Sequence, residues 1–157
     1  LAGPISHLRD IILRNNPDTK ILFHMLDAPR NSQTNANWPN EYAAYTLRIV
    51  DGTKAFTQLV GLETAPVGLA WYQVVVNSPS IDLYTPDFSH PSYAGSYLMA
   101  CVYFSTIFRE SSENNPYIGE VPEGDARVIQ SVASEITMNF GSGVVVLFGA
   151  GGASGRM

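Results

Sequence analysis

The 157-residue sequence predicts an α/β fold with a parallel sheet. Residues 4–16 follow a helical pattern, a tight loop comes next, and residues 19–24 form a short apolar run typical of a strand. A second helical segment, residues 40–60, separates that run from another predicted strand at residues 62–67. Helices and strands that alternate along a chain are typical of a parallel sheet.

Composition fits one globular domain and excludes some classes of function. Hydrophobic residues make up 45% of the chain and charged residues 15%, which is enough apolar material for a single core. The formal net charge of −5 and the scattered basic residues argue against nucleic acid as a partner. No stretch is apolar for long enough to predict a membrane span. Cys101, the one cysteine, is predicted to lie in the core.

The first helix and strand lead into a loop that could line a site. Residues 4–16 place four apolar side chains on one face, and an Asn-Asn-Pro-Asp run then stops the helix. Residues 25–39 leave the carboxyl end of the strand, where open α/β sheets bind ligands. Possible site-lining residues there are His24, Asp27, Arg30 and Trp38. A solvated loop with one aromatic anchor is the alternative interpretation.

The elements that follow are shorter or less regular. Gly52 weakens the middle of the second helix, and Pro66 interrupts the second predicted strand. Residues 69–76 predict a short helix or turn, and residues 123–139 an amphipathic helix.

The tail, residues 141–157, combines a β-branched run with a cluster of glycines. We predict either an added strand or a flexible terminus. A dinucleotide site would need a helix after those glycines, and no cofactor is expected. Residues 1–140 are assigned to the α/β domain.

An acid and an imidazole lie three residues apart in the stretch from Asp87 to Phe108. Pro91 and Ser92 suit a helix start, and the apolar run from Tyr93 onward predicts a helix buried on several sides. Asp87 can accept a hydrogen bond from one ring nitrogen of His90, which leaves the other nitrogen facing a cleft. A local cap and turn is the competing interpretation. No spacing demands a metal site that combines this pair with His24 and Asp27.

The same stretch carries a resemblance to a known family. Asp-x-x-His-Pro-Ser followed by Gly95, Tyr97, Leu98 and Ala100 resembles the last sequence block of the SGNH (GDSL-type) esterase superfamily. Two upstream segments match one bacterial branch in the same order: Ala-Pro-Val-Gly-Leu-Ala-Trp at 65–71 and Ile-Asp-Leu-Tyr at 81–84. The resemblance implies a three-layer α/β/α fold with a mainly parallel, flavodoxin-like sheet, lacking the N-terminal strand or strands.

The resemblance also implies a chemistry. Asp87 and His90 would be the acid/base pair of a Ser-His-Asp triad that hydrolyses a carboxylic ester without a metal. The substrate would be a small ester or an acetylated carbohydrate, and a secreted or periplasmic location would fit the family.

The nucleophile is the departure from that pattern. In the family the serine lies in a Gly-Asp-Ser or Gly-Asn-Ser turn, and this sequence contains neither. Three explanations stay open. The serine could lie outside this chain, with a second chain supplying the missing N-terminal part. The chain could be a non-catalytic scaffold, binding or assembly subunit. Or the order could be permuted, with residues 144–149 as the first strand.

Overall fold

The computed structural model describes residues 2–29, 40–87 and 90–140. These residues contain five helices and two three-residue strands. In chain order they are α1 (Ala2–Asn15), β1 (Leu22–His24), α2 (Asn40–Val60), β2 (Glu63–Ala65), α3 (Val67–Asn77), α4 (Tyr93–Phe108) and α5 (Glu123–Asn139).

The predicted three-layer α/β/α fold is wrong for this chain. Within the described residues the sheet has only two strands, β1 and β2, which pair in parallel with Phe23 opposite Thr64. Pro66 ends β2 after three residues, and α3 begins at the next residue. Residues 81–84 contribute one isolated bridge, between Tyr84 and Pro91. The strands predicted at 19–24 and 62–67 are present as β1 and β2, and the described residues contain none of the further sheet strands that the resemblance implied.

The core is formed by helix packing around α3. The first nine residues of α3, from Val67 to Val75, are all buried. Trp71 is 1% exposed, and the Tyr72 ring stacks on Tyr42 of α2 with centroids 5.7 Å apart. The helix is therefore surrounded, which explains why its sequence shows no polar stripe.

Helices α4 and α5 pack against each other and against α3. Ile129 and Ala133 of α5 are fully buried, as is Leu98 of α4. Cys101 is buried in the same cluster, as predicted, and burial raises the pKa of its thiol. Among the helices that the structure describes, none has the length and apolarity to cross a bilayer.

Candidate functional site

Asp87 and His90 lie in a short loop that is closed at its base by backbone hydrogen bonds. The Thr85 amide donates to the His90 carbonyl oxygen over 2.8 Å, and the Ser92 amide donates to the Leu83 carbonyl oxygen over 2.8 Å. These bonds flank the bridge between Tyr84 and Pro91. The loop thus brings residues on either side of it together, immediately before α4.

The structure places the Asp87 carboxylate against the His90 ring. Oδ2 of Asp87 lies 2.6 Å from Nδ1 of His90, and Oδ1 accepts the His90 amide over 3.0 Å. An ionised carboxylate can only accept hydrogen bonds, so Nδ1 is the protonated nitrogen of the neutral ring and Nε2 is the acceptor. The predicted contact between the two residues is therefore present.

The pair is open to solvent. The His90 side chain is 75% exposed and that of Asp87 52%. Within residues 2–29, 40–87 and 90–140, no hydrogen bond reaches Nε2 of His90. An imidazole held through Nδ1 with a solvent-facing Nε2 can take a proton from, or return one to, a group that approaches from outside.

Thr85 is a member of this constellation that sequence reasoning missed. Its hydroxyl donates to Oδ1 of Asp87 over 2.6 Å and lies 3.1 Å from the His90 carbonyl oxygen. Thr85 therefore holds the carboxylate through Oδ1, the oxygen that does not contact the ring nitrogen. The available signal was a threonine two residues before an aspartate in a turn, a position where hydroxyls often bond to nearby polar groups.

The loop is anchored to α4 by Ser92. Its hydroxyl caps the helix by accepting the Gly95 amide over 3.1 Å, and it donates to the Asp82 carbonyl oxygen over 2.7 Å. At Gly95, a Cβ atom would overlap the Leu83 carbonyl oxygen and the Trp71 ring. Glycine at this position lets α4 approach the strand-like residues that precede the loop.

Tyr84 connects the base of the loop to the segment that follows β1. Its ring packs edge-on against Trp71, with centroids 5.2 Å apart, and its hydroxyl donates to the Ala28 carbonyl oxygen over 2.6 Å. Burial raises the pKa of the neighbouring Asp27 carboxyl, while a hydrogen bond from Tyr84 opposes that shift. Asp27 thus lies near Tyr84 at the base of the loop and near His24.

The other predicted site residues do not join the pair. His24 contacts Tyr103 of α4, with Nδ1 2.7 Å from the phenol oxygen, and burial lowers the pKa of its imidazole. Arg30 and Trp38 lie outside the described residues. In the part of the chain that the structure describes, no three His, Cys, Asp or Glu side chains are grouped as a metal site.

The comparisons give a fold neighbour and no family. No protein-family model matches the chain, and no curated protein matches it. A crystal structure of a DUF4886 family protein from Bacteroides uniformis is similar over 84% of this chain, with a TM-score of 0.68 and 24% identity. This chain spans about half the length of that protein, 53%. The likeness at this identity shows a shared fold.

Proposed function

We propose that this chain supplies the acid/base pair of an SGNH-type ester hydrolase. The observation that carries the proposal is the 2.6 Å contact between Oδ2 of Asp87 and Nδ1 of His90, with Nε2 turned to solvent. In a Ser-His-Asp triad the carboxylate makes this contact with the imidazole and leaves Nε2 for the nucleophile. The sequence resemblance around Asp87 and His90 supports the same assignment.

In the proposed reaction, Nε2 of His90 takes the proton of a serine hydroxyl as the serine oxygen bonds to the ester carbonyl carbon. The imidazolium then returns the proton to the leaving alcohol as the ester C–O bond breaks, which leaves an acyl-serine. Water repeats the sequence and releases the carboxylic acid. Asp87 stabilises the imidazolium and fixes the tautomer, while Thr85 holds Asp87.

The serine is proposed to come from polypeptide outside this chain. No Gly-Asp-Ser or Gly-Asn-Ser turn occurs in the sequence, and the described residues place no hydroxyl on Nε2 of His90. A second chain that supplies the N-terminal part of the hydrolase would bring both the nucleophile and donors for the oxyanion. The proposed substrate is a small ester, with an acetylated carbohydrate as the specific candidate.

A non-catalytic scaffold or assembly subunit is the second candidate. It is favoured by the exposure of the pair, because an Asp-x-x-His turn at a helix start also occurs as a purely structural cap. In that case the Asp87–His90 contact would only close the loop before α4.

The test uses the longest natural polypeptide or complex that contains this chain. We expect a fluorophosphonate probe to label one serine, and His90→Ala to lower the turnover of p-nitrophenyl acetate by about three orders of magnitude or more. His7→Ala, which alters an exposed histidine of α1, is the matched control and should leave turnover unchanged. Unlabelled protein, or unchanged turnover in His90→Ala, would favour the scaffold.

A further inference from the structure

The outer edge of β1 presents unpaired backbone groups. The Met25 amide donates to the Ala65 carbonyl oxygen over 3.1 Å, so Met25, and with it Phe23, bonds toward β2. Hydrogen-bonding directions alternate along a parallel strand, so the N–H and C=O groups of Leu22 and His24 point to the opposite edge. Among the described residues, no backbone hydrogen bond reaches that edge.

The sequence of the edge contains neither of the residue types that most often block pairing. Natural edge strands are blunted by lysines, prolines or bulges, or by being very short. The sequence of β1 is Leu-Phe-His, with no proline and no lysine, and its three residues limit any pairing to the outward groups of Leu22 and His24. Exposed strand edges of this kind are templates for an extended segment from elsewhere.

One face of α4 is both uncharged and exposed. No residue from Tyr93 to Phe108 carries a charge. Side chains at intervals of three and four residues form an outward face of Ser96, Ala100, Tyr103, Phe104 and Ile107, all exposed or half-buried. Ile107 is 61% exposed, as is the adjacent Phe108. The prediction that this helix is buried on several sides therefore fails on its outer face, where His24 contacts Tyr103 but Ala100 and Ile107 stay exposed.

Apolar side chains lie on both sides of β1, as the contacts of His24 and Phe23 show. His24 of β1 contacts Tyr103 on the outward face of α4, with 2.7 Å between Nδ1 and the phenol oxygen. On the other side of the strand, Phe23 packs against Phe56 of α2, with ring centroids 5.2 Å apart. A groove of about 300 Å³ runs there, lined mainly by apolar side chains and by Arg48.

We propose that this edge and the two apolar surfaces beside it form a docking face for an extended segment of another polypeptide. The segment would hydrogen-bond to Leu22 and His24 and send side chains alternately toward α4 and toward the α2 groove. Because both surfaces are mainly apolar, the segment would have a continuous apolar run rather than an alternating polar one. Uncharged α4 offers no partner to a charged side chain.

The length of the fold neighbour supports this choice of occupant. The match covers 53% of the neighbour, so in that protein the shared fold is accompanied by nearly as much polypeptide again. An uncovered apolar face with an open strand edge is the kind of surface that such additional polypeptide would bury. The inference uses neither Asp87 nor His90, and its failure would leave the proposed function standing.

Hydrogen exchange at single amides tests the proposal on the whole chain. The probe is a synthetic peptide of five consecutive valines with two lysines at each end. Without it, the Leu22 and His24 amides should exchange fast while those of Phe23 and Met25 are slow. Saturating peptide should slow Leu22 and His24 by at least about tenfold, the protection expected for a new backbone hydrogen bond. The same peptide with a central proline should protect less.

A pair of variants distinguishes specific binding of the peptide to this face from non-specific binding elsewhere on the protein. Phe104→Lys should abolish the protection by the peptide, whereas Leu59→Lys, at a 72% exposed position of α2, should retain it. Slow exchange of Leu22 and His24 before peptide is added would overturn the proposal. A dilution series would then identify the occupant: protection lost on dilution indicates a second copy of this chain, and protection retained indicates the chain's own residues. No added protection with the peptide would also refute it.

Discussion

Replacing Asp87 with asparagine should change which ring nitrogen of His90 carries the proton. In the native loop Oδ2 of Asp87 accepts from Nδ1 at 2.6 Å. An asparagine at 87 can still accept at its oxygen from Thr85 and from the His90 amide, but its NH₂ group would donate to Nδ1 and favour the proton on Nε2. The same exchange of tautomer disables the histidine of serine-protease triads when asparagine replaces their aspartate.

The size of the effect follows from exposure. With side chains 75% and 52% exposed, the hydrogen bond from the neutral ring to the carboxylate should contribute no more than an exposed ion pair does, about 0.2–1 kcal/mol. That free energy corresponds to about a 1.4- to 5-fold change in the ratio of the two tautomers. Asp87→Ala should show this loss alone, and Asp87→Asn a larger one, because its amide group actively favours the other tautomer.

Long-range ¹⁵N–¹H correlation spectra of the imidazole rings measure the tautomer ratio directly. Spectra would be recorded at alkaline pH on the intact chain, with His7 and His24 as internal references. Thr85→Val is the control, because it removes a hydrogen bond to Oδ1 while leaving the contact at Oδ2. A His90 tautomer ratio that is identical in native protein and in Asp87→Asn would refute the geometry on which the proposed function depends.

Two further predictions concern stability. Gly95→Ala should lower the free energy of unfolding by about 1–3 kcal/mol, because the new methyl group overlaps the Leu83 backbone. Gly52→Ala, with open space around the new methyl group, should raise that free energy by about 0.5–1 kcal/mol. Urea denaturation measures both changes, and equal effects of the two substitutions would contradict the packing at Gly95. Burial lowers the pKa of the His24 imidazole below its ordinary 6.5, so the stability that the neutral ring contributes is present above pH 6.5 and is lost as the pH falls toward the lowered pKa. His24→Gln should therefore make the free energy of unfolding fall less steeply below pH 6.5. An unchanged slope in the variant would contradict the burial of the neutral ring.

The helices could be predicted from the sequence because their signals are local. The amphipathic pattern over residues 123–139 coincides with α5, and Ser92 caps α4 as its position suggested. The runs at 19–24 and 62–67 likewise contain β1 and β2, which pair in parallel as the alternation of helices and strands predicted. The size of the sheet could not be predicted, because the further strands were implied by a resemblance and not by a local pattern. Pro66 ends β2, and the apolar residues after it form the buried helix α3.

Distance along the chain also explains what could be predicted of the site. The Asp87–His90 contact spans only three residues, so it could be predicted from the spacing of the two residues in the sequence. The contact of His24 with Tyr103 spans 79 residues, and that of Tyr84 with Ala28 spans 56. Such contacts depend on the tertiary arrangement, which a pattern of residue types does not specify. Thr85 was missed for a different reason: threonine in a turn is too common to indicate a role.

The Asp87–His90 pair is held by contacts close in sequence, so the smaller sheet found here does not affect whether the pair can function. Among the described residues, the groups that orient the His90 ring lie between Asp82 and Gly95: the carboxylate of Asp87, the hydroxyl of Thr85 and the cap at Ser92. These contacts need one bridge and one helix start, and no further strand. A two-stranded sheet can therefore present an oriented imidazole as well as a larger sheet could. What a triad still needs at Nε2 is a hydroxyl, and serine labelling tests for that group directly.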